Sequence, residues 1–228
     1  MEPWNNRRVP AFALAFVERC EGFEAKPYKD GGGVWTIGIG STADKNGQPV
    51  SGNTPPVTHA EARELLERDM GKALRQVRGS VLLPLNDHQA AALIAFAYNL
   101  GDPRLAAPTL LKKVNGGDLN GAATAFLMYC NDNGKKVLGL VRRRWAEAAI
   151  FLGWEPDHAF DYAWEHITST GKTPPLPFPG TEGAAVDAGA PAAVVPTTQP
   201  VQGAPAADPT ADDLNARELA RIGGQAHG

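Results

Sequence analysis

Three residues near the N-terminus have side chains and a spacing suited to acid–base chemistry. Glu21, Asp30 and Thr36 follow one another as E-x8-D-x5-T within the segment EGFEAKPYKDGGGVWTIGIGS. Two carboxyl groups can divide the roles of acid and base when their surroundings differ. The positions of these residues on the predicted elements therefore decide what chemistry they can perform.

Glu21 lies at the end of a predicted first helix, on the flank of its apolar stripe. The stripe is formed by apolar residues at helical spacing, namely Val9, Phe12, Ala13, Phe16, Val17 and Cys20. Partial burial and the negative end of the helix dipole both favour a protonated Glu21, which a general acid requires. Glu18 points to the opposite face and is predicted to be a surface charge. Glu24 follows Gly22, which is predicted to end the helix, so the reasons that favour a protonated Glu21 do not apply to Glu24.

Thr36 and Asp30 belong to a predicted strand and to the turn before it. In the segment VWTIGIG, Trp35, Ile37 and Ile39 share the face expected to be buried. The opposite face carries Thr36 between small residues, and strand glycines often mark a close approach. Thr36 is therefore expected to face the floor of a cleft, with Asp30 wet and ionised at the mouth of the glycine turn.

Each of these residues also has an ordinary structural explanation. A glutamate at a helix end is commonly a surface charge, and an aspartate before glycine is commonly turn chemistry. A threonine in a strand reflects propensity. The spacing alone does not choose between the two interpretations.

The apolar run VPAFALAFV after Arg7 and Arg8 has two interpretations. Ala13-Leu14-Ala15 is similar to a signal-peptidase site, so a cleaved signal is one alternative. The run is nine residues long, too short to span a bilayer, and Glu18 and Arg19 follow it at once. Its helical spacing favours the first helix of the folded domain.

The rest of the domain is predicted to be mostly helical. Thr58 with Glu61, and Asn86 with Gln89, have the spacing of helix-starting caps. Few early strands and many late helices indicate an α+β fold, with the long helix over 58–78 joining a small sheet lobe to a larger helical lobe. Shorter helices are predicted over Pro108–Val114, Leu119–Tyr129, Val141–Leu152 and Asp157–Ile167.

Composition divides the chain into a domain and a tail. Residues 1–172 carry 20 Lys and Arg against 19 Asp and Glu, so no basic excess points to nucleic acid. Residues 173–210 contain nine Pro and nine Ala, which is typical of a disordered linker. Residues 211–228 are predicted to form a tail, in which DDLNARELARI (212–222) could form a short helix. No cofactor and no metal site is predicted.

The two cysteines, Cys20 and Cys130, do not form a disulfide framework in a chain of 228 residues. Free thiols in the core are favoured, and one long-range bridge is the alternative. A redox influence of Cys20 on the adjacent Glu21 is a further hypothesis.

The E-x8-D-x5-T segment resembles the catalytic segment of the phage-type lysozymes, the endolysin muramidases. The resemblance continues in family order over roughly residues 12–152. It is carried by VTHAEA-x-x-LL-x-x-D at 57–69, LNDHQAAALIAFAYNLG at 85–101, TLLKKVNGGD at 109–118 and GLVRRRWAEA at 139–148.

The resemblance implies a lysozyme-like two-lobed fold and a muramidase that cleaves the β-1,4 bond between N-acetylmuramic acid and N-acetylglucosamine. Glu21 would donate the proton, Asp30 would stabilise positive charge or activate a water, and Thr36 would help to hold that water. Inversion is the family expectation. Asn99 and Arg142 match positions near the family's cleft, while Arg143 with Glu147 is predicted to be an i,i+4 surface pair.

The resemblance also implies a partner and a place of action. The expected partner is the glycan strand of peptidoglycan, with no nucleic acid, no membrane insertion and a monomeric chain. The enzyme would be made in the host cytoplasm and reach the wall after the membrane is permeabilised. A virion-associated or secreted hydrolase is one alternative, and a non-catalytic glycan-binding protein on the same scaffold is another.

Overall fold

The computed structural model describes residues 8–101, 107–132, 134–169 and 173–179. A β-hairpin lies near the N-terminus and helices make up most of the remainder. In chain order the described elements are α1 (Ala11–Glu21), β1 (Glu24–Lys29), β2 (Trp35–Gly38), α2 (His59–Ser80), α3 (Asp87–Leu100), α4 (Pro108–Asn115), α5 (Leu119–Phe126), β3 (Asn131–Asp132), β4 (Lys135–Lys136), α6 (Leu138–Phe151) and α7 (Pro156–His166).

The first sheet is an antiparallel hairpin of β1 and β2, in which Tyr28 pairs with Thr36. The expected burial of one strand face is found at Ile37 and Ile39, which are both fully buried. Gly38 has a φ of +68°, and a side chain there would meet Ala62 of α2 at 2.9 Å. The glycine therefore lets α2 pack against the hairpin.

Helix boundaries agree with the capping signals in the sequence. Thr58 and Glu61 form a reciprocal capping box at the start of α2, and Asn86 and Gln89 form another at the start of α3. Gly22 ends α1 with a φ of +75°, as the sequence predicts. Because these caps satisfy backbone N–H groups that lack helical partners, they fix where each helix begins.

The main core lies among the helices. Helix α3 packs against both α2 and α6, and α6 packs against α7. A smaller apolar cluster of Ile37, Val50 and Leu65 joins the hairpin side to α2. The long helix α2 thus contacts both parts of the molecule, as predicted. No helix in the described ranges is both long and apolar enough to cross a membrane.

The structure differs from the sequence-based boundaries at the end of the domain. Residues 173–179, predicted to begin the linker, pack on the helices: Leu176 is buried, and the indole N–H of Trp145 donates to the carbonyl of Pro174 at 3.0 Å. The folded domain therefore continues past Lys172. The remainder of the predicted linker and the predicted tail helix lie outside the described residues.

Candidate active site

Glu21 is the last residue of α1, and its side chain is 25% exposed. Its Oε1 accepts a hydrogen bond from Nη1 of Arg143 at 2.6 Å. Oε2 lies on the side of Gly40, 3.5 Å from the position that a β-carbon would take there. The carboxyl group is therefore held through one oxygen, while the other oxygen faces the backbone that follows the hairpin.

Gly40 is the point where the residues after the hairpin meet the helices. Its φ is +79°, and a β-carbon would lie 3.1 Å from the hydroxyl of Tyr98. Tyr98 donates that hydroxyl to the carbonyl of Ile39 at 3.0 Å. Burial and the charges of Glu21 and Asp69 raise the pKa of Tyr98, so the hydroxyl stays protonated.

Ser41 on the other side of Gly40 is also tied to a helix. Its hydroxyl donates to Oδ2 of Asp69 at 2.9 Å, and Asp69 also accepts from Arg68 and from Lys72. Burial acts to raise the pKa of Asp69, but these hydrogen bonds outweigh it and hold the pKa below its usual range. Bonds from Tyr98 and Asp69 therefore hold the segment 39–41 on both sides of Gly40.

Asp30 is exposed at the turn between β1 and β2. Its Oδ1 accepts from the backbone N–H groups of Gly32 at 2.9 Å and Val34 at 2.8 Å. This is the turn chemistry that the sequence offered as an alternative, and it uses only one carboxylate oxygen. The acid–base and turn interpretations of Asp30 are therefore compatible.

Thr36 is 4% exposed, and its hydroxyl donates to the carbonyl of Val34 at 3.2 Å. It stands opposite Tyr28 in the hairpin. Partial burial and the negative charges of Glu21 and Asp30 raise the pKa of Tyr28. The charges of Glu21 and Asp30 therefore both act on the tyrosine that pairs with Thr36.

Among the arginines of α6, it is Arg143 that contacts Glu21. Arg142 instead donates from Nε to the carbonyl of Ile167 at 2.8 Å, and it lies over the ring of Trp164. Its predicted role in substrate binding stays a prediction. The prediction that Arg143 and Glu147 form a surface pair is wrong, because Arg143 is 5% exposed and Glu147 is fully buried.

Asn99, the other predicted binding residue, is exposed at the end of α3. Its Oδ1 accepts from Nη2 of Arg144 at 2.9 Å. Burial lowers the pKa of Arg144 to about 10, which leaves it charged at neutral pH. Sequence reasoning did not single out Arg144 and placed Glu147 at the surface, although the apolar surroundings in the run WAEAAIF indicate a buried helix and hence a buried charge.

Glu18 is also more enclosed than the sequence predicts. Its side chain is 20% exposed and lies 2.5 Å from Nε2 of His59 and 3.4 Å from Nη1 of Arg63. These contacts tie α1 to the start of α2. Glu18 therefore has a structural role in joining the two helices that flank the hairpin.

Both cysteines are free, so the alternative of a bridge between them is not realised. Burial raises the pKa of the Cys20 thiol to about 12. Since the thiolate is the reactive form, Cys20 has little of it at neutral pH. The thiol belongs to the packing of α1, one residue before Glu21.

A glutamate at a helix end beside a hairpin that carries an aspartate and a threonine, on a mostly helical α+β domain, is the arrangement expected of a glycoside hydrolase with lysozyme architecture. The family model described as phage lysozyme matches residues 18–147. The chain therefore belongs to the phage lysozyme family, whose members hydrolyse peptidoglycan.

Relatives and solved structures agree with this assignment. The chain is 36% identical over 146 residues to the endolysin of Salmonella phage P22, an alignment covering 64% of this chain and 98% of the relative. It is 35% identical over 132 residues to a SAR-endolysin of Enterobacteria phage P21, covering 58% and 77%. The solved endolysin of Escherichia coli O157:H7 phage FAHEc1 superposes with a TM-score of 0.59 at 29% identity, covering 66% of this chain and 96% of that one.

Proposed function

We propose that the chain hydrolyses the β-1,4 bond between N-acetylmuramic acid and N-acetylglucosamine, with Glu21 as the proton donor. The observation that carries this proposal is the asymmetric environment of the Glu21 carboxyl group. Arg143 holds Oε1, and Oε2 is left beside Gly40. A proton on Oε2 can be delivered to a glycosidic oxygen while Oε1 still accepts from Arg143.

Asp30 takes the second carboxylate role in this proposal. One of its oxygens is occupied by the turn, and the side chain is exposed. The other oxygen is available to stabilise oxocarbenium charge or to activate a water. Thr36 donates to the carbonyl of Val34 and keeps its lone pairs, so it assists as an acceptor for that water.

Asn99 and Arg142 complete the proposed substrate site, with the glycan strand as the partner of a monomeric enzyme. Asn99 is exposed and is the residue favoured for direct contact with the sugar. Arg142 lies on α6, is held by its hydrogen bond to the carbonyl of Ile167 after α7, and would support the site from there. We further propose that the enzyme is made in the host cytoplasm and acts on the cell wall once the membrane is permeabilised. Recovery of the protein in purified virions would instead favour the virion-associated alternative.

The test of this function is the Glu21→Gln variant. The amide preserves the shape of the side chain but cannot donate a proton as a carboxylic acid does, so release of soluble fragments from purified peptidoglycan should fall by at least a hundredfold. Mass analysis of the fragments identifies the bond that is cut.

Glu24→Gln is the matched control, because Glu24 is exposed on β1 only three residues away. It should retain wild-type activity. Full activity in Glu21→Gln would contradict the assigned role, and fragments with a different reducing-end sugar would contradict the assigned bond.

A further inference from the structure

Behind Glu21 lies a buried group of three charged side chains on α6, which we call the triad: Arg143, Glu147 and Arg144. Arg143 is 5% exposed, and the other two are fully buried. Oε1 of Glu147 accepts from Nε of Arg143 at 3.2 Å and from Nη2 of Arg144 at 3.0 Å. The single carboxylate therefore holds two guanidinium groups in fixed positions.

Each arginine of the triad also reaches a residue of the proposed site. Nη1 of Arg143 donates to Glu21 at 2.6 Å, and Nη2 of Arg144 donates to Asn99 at 2.9 Å. Hydrogen bonds thus run without interruption from Glu21 through the triad to Asn99. Asn99 directly follows Tyr98, whose hydroxyl lies beside the same Gly40 as Glu21.

The contact with Arg144 fixes which way the Asn99 amide points. A guanidinium group has only donors, so the amide must turn its oxygen inward to Arg144. The NH₂ group of the exposed side chain is then directed away from the triad. Asn99 consequently offers two N–H donors, which suit hydroxyl or N-acetyl carbonyl oxygens of a glycan.

Buried charge groups are costly to desolvate, and apolar residues of the same volume often stabilise a fold equally well. The triad therefore needs an explanation other than stability, and its two outer contacts supply one. We propose that the triad is a positioning device, which holds the proton donor through Arg143 and sets the Asn99 amide as a hydrogen-bond donor through Arg144. This inference rests on the proposed function.

The first test is the Asn99→Asp variant. An aspartate still accepts from Arg144 but presents an oxygen where the amide presented N–H donors. We expect the melting temperature to be retained, and kcat/KM on peptidoglycan fragments to fall about tenfold or more, chiefly through a higher KM.

Asn99→Ala should lose activity to a similar extent. Asn120→Asp is the matched control for the added charge, because Asn120 is exposed on α5, and it should keep wild-type activity. If Asn99 served only to satisfy Arg144, Asn99→Asp would be as active as the wild type. That result would overturn the assignment of Asn99 as an oriented donor.

The second test is Glu147→Gln, with Glu165→Gln on the exposed face of α7 as its control. Without the carboxylate charge, the two arginines repel each other and both outer contacts loosen. We expect kcat to fall about tenfold at a temperature well below the melting transition, where a purely structural role would leave it unchanged.

The side-chain ¹⁵N–¹H₂ signal of Asn99, identified by its loss in Asn99→Ala, gives a readout independent of activity. It should shift in Glu147→Gln and not in Glu165→Gln, and an unmoved signal would overturn the coupling. Because Asn99→Asp is a substitution at the surface, it tests the inference even if Glu147→Gln fails to fold. An inactive wild type or a fully active Glu21→Gln would instead count against the proposed function.

Discussion

At the scale of single residues, the two oxygens of Glu21 have different neighbours. Nη1 of Arg143 donates to Oε1, whereas Oε2 lies on the side of Gly40. The glycine at position 40 lets the segment after the hairpin pass close to Oε2. A larger residue there would press on the carboxyl group that the proposed mechanism uses.

This arrangement predicts the effect of Gly40→Ala. A β-carbon would stand 3.1 Å from the Tyr98 hydroxyl and 3.5 Å from Oε2 of Glu21. Since φ is also +79°, we expect the free energy of unfolding to fall by about 1–2 kcal/mol, and activity to fall about tenfold or more.

Gly47→Ala separates the two effects. Gly47 has a φ of +78° but open space around the position of a β-carbon. It should show the same loss of stability in thermal unfolding with activity unchanged. Equal activity losses in the two variants would show that backbone strain, and not crowding of Glu21, lowers the activity of Gly40→Ala.

The sequence predicted the position of Glu21 well, because helical spacing determines which face a residue occupies at the end of a helix. It could not decide among Arg142, Arg143 and Arg144, since three consecutive residues cover most of a helix circumference. Only the packing of α6 against α3 and α7 shows which arginine points towards Glu21. The burial of Glu147, by contrast, is indicated by the apolar run WAEAAIF in which it lies.

At the scale of elements, α2 holds the segment after the hairpin through the adjacent pair Arg68 and Asp69. Arg68 donates to the carbonyl of Ala43 at 2.9 Å and to that of Asp44. Asp69 accepts from Ser41. Three attachments along residues 41–44 therefore depend on one turn of α2.

We predict that Asp69→Asn lowers the free energy of unfolding at pH 7 by about 1–2 kcal/mol, since it weakens bonds that are only partly exposed. The folded-state pKa of Asp69 is lowered, so its contribution is present above the unfolded value near 4 and is lost as the pH falls through the folded pKa. Denaturant unfolding at several pH values should show the difference from wild type shrinking below about pH 4.

Glu67→Gln, exposed on the same helix, is the control and should change stability little at any pH. A difference between wild type and Asp69→Asn that stays constant down to pH 2 would contradict this account. It would indicate that the substitution acts through packing instead of charge.

The elements were predictable where a local signal marks them. Two capping boxes predicted the starts of α2 and α3, and Gly22 predicted the end of α1. The hairpin of β3 and β4 was not predicted, because each strand has only two residues and cannot show an alternating pattern. The predicted helix from Leu119 ends at Phe126, three residues early, in a turn without a strong stop signal.

At the scale of the whole molecule, the composition of the tail predicts that the folded domain ends at residue 172, whereas the structure shows packing beyond it. Proline-rich segments are typical of linkers, yet Leu176 is only 6% exposed and Pro174 accepts from Trp145. Trp145 lies on α6, in the same helix as the triad. Residues 173–179 therefore cover part of the helical core.

This packing predicts different outcomes for two truncations. Removing everything after Lys172 exposes the core around Trp145 and should lower the free energy of unfolding by about 2–4 kcal/mol. Removing everything after Pro179 should leave the free energy of unfolding and the activity on purified peptidoglycan at wild-type levels. Thermal unfolding of the two truncated chains measures the difference.

Leu176→Ala in the full chain should reproduce about half or more of the loss, because it deletes the buried side chain without shortening the protein. Equal stability of the two truncated chains would contradict a structural role for residues 173–179. The composition of a segment thus decides its folding less than the few apolar residues that find a surface to cover.

Glu21 lies at the end of α1 and Asp30 in the hairpin turn, so different elements carry the two carboxyl groups. Melting temperature reports on the whole fold, whereas turnover depends in addition on how α1 and the hairpin turn are placed relative to each other. Selection for heat resistance alone would therefore not maintain the rate of bond cleavage. Engineers of this enzyme would need to screen both properties in parallel.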